Sequence, residues 1–202
     1  MLPIDCLSFC NNYVPRETLL LLEKYVELIL EWNKKINLVS RRLGKELLWL
    51  QIADCLQLMQ HIQDTDIHVV DIGAGSGLPG IVLSIAGIKK VTVVESNNKK
   101  AVFLLQASQI SGNKVEVANA RIEDVNVQCD ILTSKAFASL DIIFMYTKHI
   151  LVKDKYLLLK GSNYATELIT AQKNWSFNYN IHHNTNLNSS NILDINSIIK
   201  IS

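Results

Sequence analysis

One decapeptide constrains this chain more than any other: Asp71-Ile72-Gly73-Ala74-Gly75-Ser76-Gly77-Leu78-Pro79-Gly80 carries four of its eight glycines. The strand-like run His68-Val69-Val70, with two β-branched valines, leads into it and an apolar segment, residues 81–86, follows before Gly87. Glycines between a strand and a helix permit positive φ and let a ligand approach the backbone closely. The helix that follows offers unpaired N–H groups to an anionic ligand group. The decapeptide therefore predicts a strand, a ligand-binding turn and a short helix, with a strained turn lacking any ligand as the plain alternative.

The same texture repeats downstream. Short runs over residues 91–95, 115–117 and 131–134, rich in β-branched residues, and the apolar run 156–159 predict strands. Helical patterns over 99–111, 140–150 and 164–173 alternate with them, the first ended by Gly112. Strands alternating with helices imply βαβ units and a mainly parallel sheet. Two strand-like pieces, 177–182 and 192–201, flank an Asn-rich loop at 183–191 and predict an antiparallel pair at the sheet edge. Upstream, Leu19, Leu22, Val26, Ile29 and Ile36 follow a helical period over 16–36, and Leu48, Ile52, Cys55 and Met59 do so over 45–62. The expected fold is α/β: a doubly wound, Rossmann-like sheet preceded by helices and closed by an antiparallel strand pair. Residues 1–64 form the helical lead-in and 65–202 one compact domain, in keeping with about 150 residues per domain.

Composition narrows the class. Of the 202 residues 49% are apolar and 19% charged, which excludes a disordered chain. A net charge of +1 provides no global attraction for nucleic acid, so any such binding needs a local patch. Lys34-Lys35, Arg41-Arg42, Lys89-Lys90 and Lys99-Lys100 are candidates, though paired lysines are commonly just solvated faces. Cys6, Cys10, Cys55 and Cys129 show no C-x-x-C spacing, and His182-His183 stand apart from them. Neither a basic leader nor a membrane-length apolar run is present. The expectation is a cytoplasmic protein with reduced thiols, no metal and no membrane contact.

The turn alone leaves the ligand open. Gly75-x-Gly77-x-x-Gly80 fits the dinucleotide fingerprint, which keeps an NAD-dependent oxidoreductase in view. Asp71, two residues before Gly73, favours an ammonium-bearing ligand and disfavours a pyrophosphate. Glu95, 20 residues after Gly75, can accept hydrogen bonds from ribose hydroxyls, which suits both NAD and S-adenosyl-L-methionine. Asp71 and Glu95 together suit S-adenosylmethionine, which has a ribose and an amino group but no phosphate. Asn119–Asp124 follows the third predicted strand and falls beside the first two loops in a doubly wound sheet. There Ile122 can pack on an adenine, or the segment simply caps a short helix. Residues 133–138, Thr-Ser-Lys-Ala-Phe-Ala, contain no carboxylate, no cysteine and no Asn-Pro-Pro-Tyr type motif. For a methyl transfer this leaves an acceptor with no proton to lose, such as guanine N7, with Lys135 holding the base through O6 or a phosphate. No general base is assigned.

These motifs, with Glu31-Trp32-Asn33, Asn37-Leu38, Ile52-Ala53-Asp54, Arg121-Ile122-Glu123, Ser134–Ala138 and Leu159-Lys160-Gly161, resemble those of the bacterial 16S rRNA (guanine-N7) methyltransferases over nearly the whole chain. The resemblance implies S-adenosylmethionine at Gly73 and Leu78, its adenosine half at Ile122 and Glu123, and Lys135 beside the methyl group and substrate; Gly75 and Glu95 join the expected cofactor site from the reading of the turn and the second strand. It implies 16S rRNA or the 30S subunit as partner and a monomeric enzyme. Trp32, Asn33 and Asn37 would line the acceptor pocket or merely cap and pack their helix. Two positions depart from the family's pattern: Lys135 stands where the family usually has Arg, and Gln51 where it usually has His. These departures keep in view a catalytically reduced, ribosome-binding module.

Overall fold

The structure, a computed structural model, describes residues 10–40, 44–183 and 190–201. Cys6, Arg41-Arg42 and most of the 183–191 loop lie outside these. The helices are α1 (Arg16–Asn33), α2 (Lys45–Leu56), α3 (Gly80–Ile85), α4 (Asn98–Ser108), α5 (Leu140–Thr147) and α6 (Tyr164–Ala171). The strands are β1 (His68–Ile72), β2 (Lys90–Val94), β3 (Lys114–Ala118), β4 (Gln128–Lys135), β5 (Leu151–Lys160), β6 (Trp175–His183) and β7 (Asn191–Lys200).

They form one seven-stranded sheet in the order β3-β2-β1-β4-β5-β7-β6. The first five strands are parallel and β7 runs antiparallel to both neighbours. From β1 the chain winds outward through β2 and β3, then returns to lay β4 on the other side. A crevice opens at that reversal, beyond the carboxyl ends of β1 and β4. The glycine turn leaves β1 there, and Lys135 ends β4 there.

Alternation along the strands divides the core between two faces. Val69, Val91, Val93, Ile131 and Leu157 join α1, α2, α3 and α4 on one face, packed with Tyr25, Ile29, Trp49, Ile52 and Phe103. Val70, Ile72, Val94, Leu132 and Leu158 meet α5 and α6 on the other, with Phe144, Tyr156 and Trp175. Central strands are covered on both sides, and His68–Ile72 and Lys90–Val94 are accordingly buried at every position after the first. The lead-in helices therefore share a hydrophobic core with the sheet.

Element ends are where the chain departs from expectation. The first helix stops at Asn33 rather than 36 because Asn33 Oδ1 accepts from the amides of Leu38 (2.9 Å) and Val39 (3.1 Å), turning the chain. The second ends at Leu56 and tightens into a 3₁₀ segment, Gln57–His61. β5 starts at Leu151, five residues before the apolar signal, because Lys153 and Lys155 there pair with Asp130 (3.3 Å) and Asp194 (3.2 Å) instead of entering the core. Among the described residues no helix is long and apolar enough to cross a membrane.

One bond ties the lead-in directly to the glycine turn: the hydroxyl of fully buried Tyr25 donates to the Ser76 carbonyl. Tyr25→Phe leaves that buried carbonyl without the donor. Stability to denaturant should fall by about 1–3 kcal/mol. An unchanged unfolding midpoint would show that the bond contributes nothing.

Candidate active site

The turn is a left-handed staircase, with φ of +64° at Gly73, +56° at Gly75 and +82° at Gly77. A Cβ at Gly77 would meet Ile81 at 2.5 Å and the Tyr25 hydroxyl at 2.7 Å. A Cβ at Gly73 would run into the ring of Phe137, so that glycine is required by a protein neighbour before any ligand is considered. Two carboxylates pin the turn. Glu95 accepts from the Gly75 amide (2.9 Å) through one oxygen and from the Asn97 amide (2.8 Å) through the other. Asp71 accepts from the Gly80 amide at 2.8 Å.

Asp71 departs from its expected role. It is fully buried, its second oxygen Oδ1 has no hydrogen-bond partner, and it lines none of the cavities described below. It holds the loop from beneath instead of reaching a ligand's ammonium group. The same contact bears on the dinucleotide reading. Gly80 opens α3, and its amide, one a pyrophosphate would use, already serves Asp71.

Three adjoining cavities open at the crevice. The first, about 280 Å³, is lined by Glu95, Arg121, Ile122, Glu123, Phe137 and Tyr146, with Gly73 and Gly75 at its edge. The second, about 330 Å³, is lined by Gly73, Gly75, Leu78, Lys100, Lys135 and the segment 38–40. The third, about 490 Å³, lies beyond Lys135 and is lined by Gln51, Asp54, Phe137, Lys160 and Glu167. All seven residues expected at a cofactor site thus border two neighbouring cavities. Ile122 does so from a 3₁₀ turn, Ile122–Asp124, the short helix expected of that segment. Ala136 borders all three cavities and carries φ +54°, a left-handed conformation that costs a side chain about 1–3 kcal/mol. That twist puts Lys135 and Phe137 on different walls.

Lys135 is held from the lead-in. Its Nζ donates to Gln51 Oε1 and lies 3.8 Å from Asp54 Oδ2, both residues of α2. The two departures from the family pattern are therefore contact partners. Further along the rim, Lys160 Nζ donates to the Ala138 carbonyl (2.5 Å) and to Glu167 (2.8 Å), and Glu167 also accepts from the Leu140 amide (3.1 Å). This pair fixes the loop after β4.

Asp54, Phe137, Lys100 and Tyr146 also line these cavities, beyond the seven residues expected at the cofactor site. Two carry a sequence signal: Asp54 as a charge inside the buried apolar stretch Ile52–Leu56, and Lys100 as one of the paired lysines. Trp32 donates to Gln106 (2.9 Å) and meets Phe103 edge-on, and Asn33 caps the turn, so both pack the helix and line none of the three cavities.

The family model of rRNA small subunit methyltransferase G (GidB) matches residues 18–196. The ribosomal RNA small subunit methyltransferase G of Rickettsia prowazekii is 48% identical over 180 residues, covering 89% of this chain and 94% of that protein. The chain belongs to the rRNA small subunit methyltransferase G family. The Rickettsia typhi member is 46% identical over 188 residues, covering 93% of this chain and 98% of its own. Among solved structures, a variant of MtNAS in complex with S-adenosylmethionine aligns with a TM-score of 0.60 over 89% of this chain and 72% of that one. At 15% identity it supports the fold alone.

Within this family member, burial pushes the Asp71 carboxyl up to about 7, against the lowering effect of the Gly80 amide and with a further rise from Glu95. In the unfolded chain the group titrates near pH 3.9. Between about pH 4 and 7 the folded state keeps a proton the unfolded state has lost, so Asp71's contribution to stability declines as pH rises. Asp71→Asn keeps an oxygen for the Gly80 amide and cannot titrate. Its stability relative to the parent should rise across that window, by about 1.4 kcal/mol per pH unit at most. Urea unfolding at pH 4.5 and 7.5 measures this, and a pH-independent difference would place the titration elsewhere.

Proposed function

We propose that this chain transfers a methyl group from S-adenosyl-L-methionine to N7 of a guanine in 16S rRNA, free or within the 30S subunit, as a cytoplasmic monomer. Family membership supports the reaction class, and one observation carries the assignment to this site: Lys135 stands on the partition between two cavities, one suited to the methyl donor and one to the acceptor.

The donor cavities fit S-adenosylmethionine. Glu95 has acceptor capacity for a ribose diol, and Ile122 offers an apolar face for adenine. Glu123 stands at the adenosine end. Gly73 and Gly75 let the ligand approach the backbone, with Leu78 beside them. Lys100 and Lys135 flank the place where a methionine carboxylate would lie. When bound, the cofactor supplies a methyl group on a sulfonium that departs as a thioether. Guanine N7 carries a lone pair and no proton, so the chain needs no general base. Its work is alignment, which by itself can lower a barrier by several kcal/mol. Lys135 aligns the base by donating to O6 or to a neighbouring phosphate. Transfer of a methyl group to 30S particles separates this enzyme reading from a reduced ribosome-binding module.

Calorimetric titration with S-adenosylmethionine and with NAD tests the donor. Binding of the former alone is expected, and binding of NAD alone would sink the assignment. Glu95→Ala should weaken S-adenosylmethionine by about 10–150-fold, from the loss of about 1.5–3 kcal/mol of charged acceptor. An unchanged dissociation constant puts the ribose elsewhere. Lys135→Ala should slow transfer to 30S particles by about 10-fold or more. A parallel loss of cofactor affinity points to the methionine carboxylate, unchanged affinity to the acceptor, and a parent-like rate removes the residue from the site.

A further inference from the structure

We propose that Asp54 selects guanine: its carboxylate accepts the base's N1–H while the Lys135 ammonium donates to O6 of the same base. This deepens the methyltransfer reading and rests on it. Asp54 is almost wholly buried, with its side chain 2% exposed, yet it lines the large third cavity. Lys135 borders that cavity and the one against the glycine turn. A base in the third cavity has to aim N7 at the partition, since the methyl group arrives from the other side. O6 is the next exocyclic atom along the guanine edge and N1–H the next ring atom after it. The base thus presents an acceptor and then a donor in the direction away from the partition. The protein presents an ammonium on the partition and a carboxylate behind it, 3.8 Å apart.

That separation is longer than a hydrogen bond, so the pair is not locked on itself. An ammonium has three donors, and Gln51 takes one. A carboxylate has about four acceptor positions, enough for a base and its protein contacts together. The cavity's other acid is committed elsewhere: one oxygen of Glu167 accepts from both Lys160 and the Leu140 amide. Adenine reverses the pattern, placing its N6 amine against the ammonium and bare N1 against the carboxylate. Both contacts would then be mismatched and buried, the arrangement by which a site rejects an analogue most strongly.

The pairing also answers an electrostatic difficulty. As N7 attacks, the C–S bond breaks and the positive charge passes from sulfur to the guanine ring. Lys135 alone would oppose that charge. Asp54 beside it offsets the opposition, and the ring's rising charge makes N1–H a stronger donor to the carboxylate as the reaction proceeds. The contact therefore tightens toward the transition state, where it is useful.

The test uses 30S particles reconstituted with guanine, inosine or adenine at the position the parent protein methylates. The parent should methylate inosine, which keeps O6 and N1–H, within about fivefold of guanine, and adenine about 100-fold or more slowly. Asp54→Asn, whose amide can donate to adenine N1, should lose about 10-fold or more in kcat/KM on guanine and narrow the guanine-to-adenine ratio, while its affinity for S-adenosylmethionine stays within about twofold. Inosine as poor as adenine, or an unchanged base ratio in Asp54→Asn, overturns the proposal. The inosine comparison uses the parent alone and stands even if the variant folds poorly. No transfer by the parent to any base overturns the methyltransfer reading itself.

Discussion

A glycine turn has no side chains with which to hold itself, and the crevice depends on two carboxylates that do it instead. Asp71 and Glu95 end or follow neighbouring parallel strands, and each accepts a backbone N–H of the turn, at Gly80 and at Gly75. The turn is thereby fixed at both ends against the sheet, and Tyr25 secures its middle through Ser76. Residues in left-handed conformations lose this geometry readily unless the surroundings over-determine it. The burial of Asp71, with one oxygen lacking a partner, is the energetic consequence of placing that restraint inside the core.

The opposite wall is organised by a different device. β4 ends in a left-handed Ala136 between two side chains with separate duties. Phe137 closes over Gly73, leaving no room for a Cβ. Lys135 reaches instead to α2, in the lead-in. The Lys160–Glu167 pair braces the loop that follows. The helical lead-in therefore does more than cover one sheet face. It contributes Gln51 and Asp54 to the cavity beyond the partition, so the site is completed by residues from both ends of the chain.

Most of the fold was legible because the central strands are buried on both faces and the helices carry plain apolar stripes. The first half of β5 was not, since its lysines pair with Asp130 and Asp194 and leave no periodic signal. The site divides along similar lines. Local spacing beside strand ends places Gly73, Gly75, Glu95 and Ile122 at the crevice, while Leu78 and Glu123 were expected there only from the resemblance; all six line its cavities. Asp71 was recognised but given the wrong partner: a carboxylate suits an ammonium and an amide N–H alike, and only the fold decides which is in reach. Asp54 stood out locally as a charge inside an apolar stretch, but local reasoning gave it no partner. Its neighbourhood with Lys135 is created by the packing of α2 near the end of β4, a contact spanning more than 80 residues of chain.

The paired charges beyond the partition also fit the chain's overall electrostatics. A protein of net charge +1 has little long-range pull on RNA, and each phosphate contact it makes is individually salt-sensitive. Discrimination cannot come from those contacts, because phosphate carries no sequence information. It has to come from a base edge read where water is scarce, and there a lone cation would be a poor reader. It would accept any carbonyl, and it would oppose the charge that N7 methylation creates. A cation and a carboxylate side by side are near neutral together, cost less to bury than either alone, and define an ordered donor–acceptor pair. Lys135 and Asp54 have that character, and Gln51 keeps the lysine aimed without adding charge. Lys135 owes its position to the end of β4, and Gln51 and Asp54 owe theirs to α2, so the proposed reader of the base is assembled across the contact between sheet and lead-in.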